Sequence, residues 1–428
     1  MTRLECARCA RVYPVDQVRY VCECGGALDV IHDLESLRPA LSRALFDQRL
    51  RGAPCPHPTP VSASGVWRYR ELVLPVRPEQ IVSRPEGNTP LYHHARLSSW
   101  AGLDKLYLKH EGENPTGSFK DRGMTVGVTQ ARCLGARAVA CASTGNTSAS
   151  LAAYAALAGI PAVVFIPAGK IAAGKLAQAL AYGARTLQVD GDFDVAMRLV
   201  RQTCDALGVY LLNSLNPFRL EGQKSIVFEL LQGLSWQSPD WIVLPAGNLG
   251  NTSAFGKALV ELSQLGLIER VPRLAAVQAS GANPFYQSYL GGFQRPVTVA
   301  AETVATAIRI GAPVSYERAV RSLRSTNGVV TQVTDDEIMD AKAMVDSAGI
   351  GCEPASAAAL AGVRRLVAED VIRADQQVVA VLTGHLLKDP AATVAYHTGE
   401  WPRARYANPP RSVPAEVNAV RRLIEDLL

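Results

Sequence analysis

The sequence predicts an α/β protein with largely parallel sheets, preceded by a small cysteine-rich module. Three observations carry this. Short apolar runs of strand length, such as 138–142, 162–166, 241–244 and 378–382, each give way to a loop of Gly, Ser, Thr or Asn and then mostly to a helical stretch. Four of the nine cysteines fall within the first 24 residues. At 428 residues, 48% hydrophobic and 19% charged, the chain is long enough for two or three domains and too apolar to be disordered.

Composition also excludes partners. A net charge of +5 is small for this length and no Lys/Arg block stands out, so neither nucleic acid nor an anionic membrane is expected. No apolar run approaches the roughly 20 residues that span a bilayer. The opening Met-Thr-Arg-Leu-Glu-Cys lacks the apolar core of a signal peptide, so a cytoplasmic protein acting on small molecules is expected.

Residues 1–35 read as a module of their own. Cys6-x-x-Cys9 and Cys22-x-Cys24-Gly25-Gly26, with a short strand pattern at Val18 and Tyr20 between them, fit a zinc-ribbon-like site of four thiolates. The tight second pair departs from the usual C-x-x-C spacing. Four thiolates would leave no open position on the metal, so the expected zinc is structural. Residues 36–95 connect: a helical run ends near Leu50, a Pro- and Gly-rich stretch runs from Gly52 to Pro60, and a turn follows at Pro85–Pro90. His93 and His94 are adjacent, so they point to different faces and do not form a joint metal site.

Strand–loop–helix units then repeat. Strands are expected at 106–109, 138–142, 162–166, 186–189, 241–244, 274–278 and 378–382, with helices at 149–158, 175–182, 193–207 and 253–265. Catalytic region 36–402 ends in a Pro-containing arm, 403–428, with an amphipathic helix carrying Val417, Val420, Leu423 and Leu427. Ligands of such sheets bind at the carboxyl ends of strands, where the polar loops fall.

The stretch Asn114-Pro115-Thr116-Gly117-Ser118-Phe119-Lys120-Asp121-Arg122-Gly123 is the centre of that pattern. A turn runs into Ser118, a good helix N-cap, and an amphipathic run follows through Met124 and Val128. Lys120 is therefore expected in the first turn, where the helix dipole pushes a lysine towards its neutral, nucleophilic amine. Gly247-Asn248-Leu249-Gly250-Asn251-Thr252, between a strand and a helix, suits one phosphate and is neither a triphosphate loop nor a dinucleotide fingerprint. Ser143-Thr144-Gly145-Asn146-Thr147-Ser148 could hold a carboxylate, or could be a plain helix start. Asn213 to Arg219 offers an arginine for a second phosphate, or an exposed turn.

The segment Lys109–Met124 resembles the lysine motif of threonine synthases. The loops S-T-G-N-T-S, L-N-S-L-N-P-F-R-L-E-G-Q-K, P-A-G-N-L-G-N, E-P-A-S-A-A and L-T-G-H-L-L-K-D follow in that family's order across roughly residues 80–400. The middle motifs are shared with other pyridoxal-phosphate (PLP) enzymes of the tryptophan-synthase-β type, and cysteine modules like 1–35 occur on several threonine-synthase-like proteins. The resemblance implies a two-lobed PLP-dependent fold type II, tryptophan synthase β-like, and a homodimer. It implies that Lys120 holds PLP covalently and shuttles protons. Gly247, Asn248, Leu249, Gly250 and Asn251 would hold the cofactor phosphate, Asn146 the ring hydroxyl, and Thr383 would face the ring nitrogen. Ser143, Thr144 and Thr147 would bind the substrate carboxylate, and Ser214, Asn216, Arg219 and Lys224 its phosphate. Phe119 is expected as packing, and Glu353 has no assigned role. The implied reaction makes L-threonine and phosphate from O-phospho-L-homoserine and water. A cysteate synthase-like β-replacement on O-phosphoserine and a threonine dehydratase are the alternatives; a PLP-like adaptor without activity would have no need of Lys120, Asn146 and Thr383.

Overall fold

The computed structural model describes residues 2–51, 61–168, 173–190 and 193–426. The Gly52–Pro60 stretch and Leu427 lie outside them. Three sheets form. Strands β1 (Arg3–Cys6), β2 (Val12–Tyr13) and β3 (Leu28–Ile31) make an antiparallel sheet in the order β2-β1-β3. Strands β4 (Leu91–His93) and β5 (Lys105–His110) belong to a large sheet. The chain then leaves it to build a four-stranded parallel sheet from β6 (Val139–Ala142), β7 (Ala162–Pro167), β8 (Arg185–Val189) and β9 (Tyr210–Leu211), in the order β8-β7-β6-β9. It returns to the large sheet with β10 (Trp241–Pro245), β11 (Arg273–Ala279), β12 (Val329–Val333) and β13 (Gln377–Leu382). The order there is β12-β11-β10-β13-β5-β4, parallel except at the β4 edge. Two α/β lobes result, the smaller inserted between β5 and β10. Among the described residues no helix is long and apolar enough to cross a membrane.

Every expected strand of the α/β region is present. Three of its strands gave no signal of their own. β4 and β9 span only three and two residues, and β12, Val-Val-Thr-Gln-Val, is neither a continuous apolar run nor an alternating one. The strand expected at Val18 and Tyr20 is absent. Val18 is exposed, and Tyr20 accepts a hydrogen bond at its hydroxyl from the Leu211 N–H at 2.7 Å, so it serves as a tether to the small lobe instead. The module shares a core with the large lobe, since Leu4, Tyr13, Leu28 and Val30 pack in one apolar cluster with Trp67, Ile226 and Phe255. In the C-terminal arm, the helix Val417–Glu425 buries none of its residues.

The helix Lys120–Cys133 is buried nearly all round, from Asp121 to Ala131, rather than on one face as the amphipathic pattern suggested. It lies between the lobes, against the helices Pro217–Gly233 and Asn146–Ala158. A side chain at Gly222 would place its Cβ 1.9 Å from the Arg122 carbonyl oxygen, so the glycine lets the two helices approach this closely. The polar residues of the buried helix are neutralised in place. Arg122 donates to Glu111 at 2.6 and 2.8 Å and to Glu229 at 3.0 Å, and Lys109 binds Glu229 at 2.5 Å, all of them buried. Removing one partner of such a cluster strands the others. Glu229→Gln is expected to cost about 3–5 kcal/mol of stability, read as a lowered urea midpoint with little change in slope.

Candidate active site

The site is built at the carboxyl ends of β5, β6, β10 and β13. Lys120 opens the helix Lys120–Cys133. Ser118 is not its N-cap; Phe119 occupies that position with helical backbone angles, and Ser118 Oγ accepts only a long bond, 3.4 Å, from the Lys120 N–H. The preceding turn is zipped to the end of β13: the Phe119 N–H donates to the Thr383 carbonyl and the His385 N–H to the Gly117 carbonyl, each at 3.0 Å. Lys120 and Thr383 therefore share one edge.

Lys120 keeps some exposure to the cleft, and its amine lies 4.0 Å from the centre of the Phe119 ring. Its pKa is lowered to about 7. Loss of hydration is the largest cause, the Arg219 guanidinium adds to it, and the Glu353 carboxylate opposes it. The neutral amine expected from the helix dipole is thus produced mainly by burial.

Glu353 and Ser356 are site residues to which the sequence reading gave no role, although their E-P-A-S-A-A motif was visible. Asn146 Nδ2 donates to the Glu353 carboxylate at 3.2 Å, across the lobes. Thr383 Oγ1 lies 3.1 Å from Ser356 Oγ, which also accepts from the Gly384 N–H at 2.8 Å. In the small lobe Ser143 Oγ accepts from the Gly145 N–H at 3.1 Å, and Thr144 and Thr147 are half-exposed beside it. Asn213 exchanges two hydrogen bonds with the backbone of Ala142, at 3.0 and 3.1 Å, which brings the turn carrying half-buried Ser214 to that same edge.

Arg219 is buried at 2% exposure, with Nη1 donating to the Leu212 carbonyl at 3.2 Å and Nε without a partner. Among the described residues no carboxylate pairs with it. Burial lowers its pKa to about 10, which still leaves a cation at neutral pH. A buried, unpaired guanidinium calls for an anion.

Two expected phosphate ligands are corrected. Asn216 caps the helix Pro217–Gly233: its Oδ1 accepts from the Phe218 N–H at 3.0 Å and its Nδ2 donates to the Leu211 carbonyl at 2.9 Å. Lys224 points into a separate buried cluster, 2.5 Å from Glu261 and 2.6 Å from Glu221, with His32 2.8 Å from Glu221. Five residues after Arg219 on a helix, it faces elsewhere, and with Lys257 it neutralises the carboxylates of Glu221 and Glu261.

The glycine loop follows β10. Leu249 sits in the left-handed region at φ 65°, and the helix Gly250–Gln264 makes its first intrahelical bond only at Ser253. The amides of the first turn are therefore free for an anion. Asn251 Oδ1 and Thr252 Oγ1 are buried there without partners. A Cβ at Gly247 would meet Ile308 Cα at 3.0 Å, so the loop lies flush against the 306–308 turn. The free first-turn amides and the Thr252 hydroxyl are donors that fit the phosphate of PLP. Asn248, by contrast, is committed to the protein: its carbonyl accepts from the Ser315 N–H at 3.2 Å and its Oδ1 from the Val314 N–H at 3.4 Å. Away from this edge, Cys6, Cys9, Cys22 and Cys24 bring their sulfurs within 4.8 Å of one another.

Comparison with known proteins agrees with this geometry. Residues 82–384 match the family model described as pyridoxal-phosphate dependent enzyme. The chain is 44% identical to a threonine synthase of Methanocaldococcus jannaschii and 47% identical to one of Methanosarcina acetivorans, over 99% of each pair of chains. Its fold is similar to the crystal structure of threonine synthase from Escherichia coli, with a TM-score of 0.69 over the full length of both chains at 20% identity. It is also similar to a processed threonine deaminase of Solanum lycopersicum, with a TM-score of 0.63 over 75% of this chain and 89% of that one.

The lowered amine has a direct readout. Pyridoxal, which carries no phosphate to titrate, is expected to react with the apoprotein at a rate that rises with pH through about 7, because only the neutral amine attacks. An inflection near the ordinary lysine value, about 10.4, would contradict the assigned environment.

Proposed function

The chain belongs to the threonine synthases, within the pyridoxal-phosphate dependent enzyme family, and from that premise we propose how its residues carry the conversion of O-phospho-L-homoserine and water to L-threonine and phosphate. The observation that carries the substrate assignment is Arg219, a buried cation with no carboxylate partner among the described residues, close enough to Lys120 to lower its pKa. It is suited to the phosphate that leaves.

When bound, PLP supplies an electron sink conjugated with the substrate's α-carbon. Lys120 is the residue that holds it, and the first-turn amides of Gly250, Asn251 and Thr252, with the backbone of Gly247, Asn248 and Leu249, are suited to its phosphate. Asn146 is suited to the ring hydroxyl. Thr383, a neutral hydroxyl paired with Ser356, is suited to the ring nitrogen without protonating it. As a free amine beside the substrate, Lys120 would be a base whose pKa near 7 lets it both take and return protons at neutral pH. It removes the proton at Cα and then one at Cβ. Phosphate leaves Cγ into the grip of Arg219 and Ser214, and Lys120 delivers a proton to Cγ, which becomes the methyl group. Water adds its hydroxyl at Cβ and gives its proton to Lys120, and Lys120 returns a proton to Cα. Ser143, Thr144 and Thr147 orient the substrate carboxylate.

The four N-terminal cysteines form a structural zinc site in this reading. Cys6 and Cys24 sulfurs lie 3.5 Å apart, as do those of Cys9 and Cys22, and the Tyr13 hydroxyl lies 3.1 Å from Cys22 Sγ as a supporting contact. The enzyme acts as a cytoplasmic homodimer on a small molecule. All eight described cysteines are free thiols, as in a reducing compartment, and Val417, Val420 and Ile424 leave an apolar helix face for a second copy.

Phosphate release from O-phosphohomoserine is the decisive assay. Release from O-phosphoserine only with sulfite, or ammonia release from threonine, would point instead to a cysteate synthase or a dehydratase. Arg219→Ala is expected to raise the KM for phosphohomoserine roughly 10- to 100-fold, the loss of a charge-assisted contact; an unchanged KM removes Arg219 from the phosphate site. Metal analysis should find about one zinc per chain, absent from Cys9→Ser.

A further inference from the structure

The cysteine module is wired into the glycine loop. Cys6 ends β1 and pairs across the sheet with Leu28 at the start of β3. The Leu28 carbonyl accepts from Arg318 Nη1 at 3.2 Å, and the Asp29 carboxylate lies 3.8 Å from the same nitrogen. Arg318 is 2% exposed, in the helix Tyr316–Ser325. Its Nη2 donates to Ser315 Oγ at 3.2 Å. Ser315 in turn clasps the loop. Its N–H donates to the Asn248 carbonyl at 3.2 Å, and its own carbonyl accepts from Ser253 Oγ at 3.3 Å. One guanidinium therefore spans from the cross-strand partner of a cysteine ligand to the residue that holds Asn248.

A guanidinium is planar and its two terminal nitrogens move together. A shift of β3 must either carry Ser315 with it or leave a buried donor unmet, which costs free energy that a surface contact would not. The module's cysteines set where β3 lies: the Ala7 N–H donates to the Ala27 carbonyl at 2.9 Å, and a Cβ at Gly26 would come within 2.7 Å of Cys6 Sγ.

We propose that Arg318 is a positioning residue that couples the cysteine module to the 247–252 loop, so that metal closure of Cys6, Cys9, Cys22 and Cys24 tightens the hold on the cofactor phosphate. This rests on the reading that the loop binds that phosphate.

The test titrates the full-length apoprotein with PLP and with pyridoxal, which lacks the phosphate, and takes the ratio of the two affinities. Arg318→Lys, Ser315→Ala and zinc-stripped wild type are each expected to lose about tenfold in PLP affinity while pyridoxal affinity holds, and zinc should restore the stripped protein. Ser315→Ala keeps the Asn248 contact and is the decisive variant if Arg318→Lys does not fold. Thr252→Val tests the underlying reading. If Thr252→Val lowers the ratio and the others do not, the coupling is overturned and the loop assignment stands. If Thr252→Val also leaves the ratio unchanged, the loop assignment fails. If PLP and pyridoxal weaken together, the role is general folding and the coupling is again overturned. A ratio that responds to Arg318 but not to zinc overturns the metal half of the proposal.

Discussion

The position of the reactive lysine depends on the buried charges around Arg122. Five elements meet there: Lys109 comes from β5, Glu111 from the turn after it, Arg122 from the helix that Lys120 opens, Glu229 from the helix Pro217–Gly233, and Arg68 from the connecting segment, 3.5 Å from Glu229. None of these charges is tolerable alone in that interior, so each holds the others in register. Asp121, next to Lys120, repeats this on the opposite side. It accepts from the Thr116 N–H and hydroxyl at 2.6 Å each and from Ser150 of the small lobe at 2.5 Å, with burial raising its pKa to about 6. The amine is fixed to both lobes by the two residues that follow it.

Pairing separates the structural cations from the functional ones. Lys109, Arg122 and Lys224 each lie against carboxylates. Arg219, on the same helix as Lys224, has none among the described residues. A buried charge left uncompensated is unfavourable to the fold, and a bound anion offsets that burden. The same positive field adds to the burial that disfavours a charged Lys120, so Arg219 contributes to the amine's reactivity as well as offering an anion site. Phosphate binding near Arg219 would weaken that field, which is a reason for the base to strengthen as substrate enters.

The cysteine module, which looks separable by composition, has its third strand in the main core and its carbonyls on Arg318 and Lys257. Its contacts run to the helix that carries the glycine loop and to that loop's clasp, and also, through Tyr20, Val15 and His32, to Leu211, to Gln130 on the helix that Lys120 opens and to Glu221.

The α/β class, the longer apolar strands of the two large sheets and the polar loops that follow them were legible in the sequence, while β4, β9 and β12 were not. Parallel strands are continuous apolar runs and their C-terminal loops need Gly, Ser, Thr and Asn for local backbone reasons. Lys120 was legible for the same reason: it follows a turn that starts a helix. Side-chain direction was not. Lys224 and Asn216 look like anion ligands by residue type and proximity in sequence, but a helix turns Lys224 towards Glu221 and Glu261, and the helix start consumes Asn216. Glu353 and Ser356 gained their roles only when β13 paired with β5 and the small lobe brought Asn146 across. The sequence by itself determined which groups could do the chemistry. Tertiary structure decided which were left unpaired to do it, because desolvation and ion pairing depend on side-chain direction and on contacts between elements distant in sequence, such as Lys109 with Glu229 and Asn146 with Glu353.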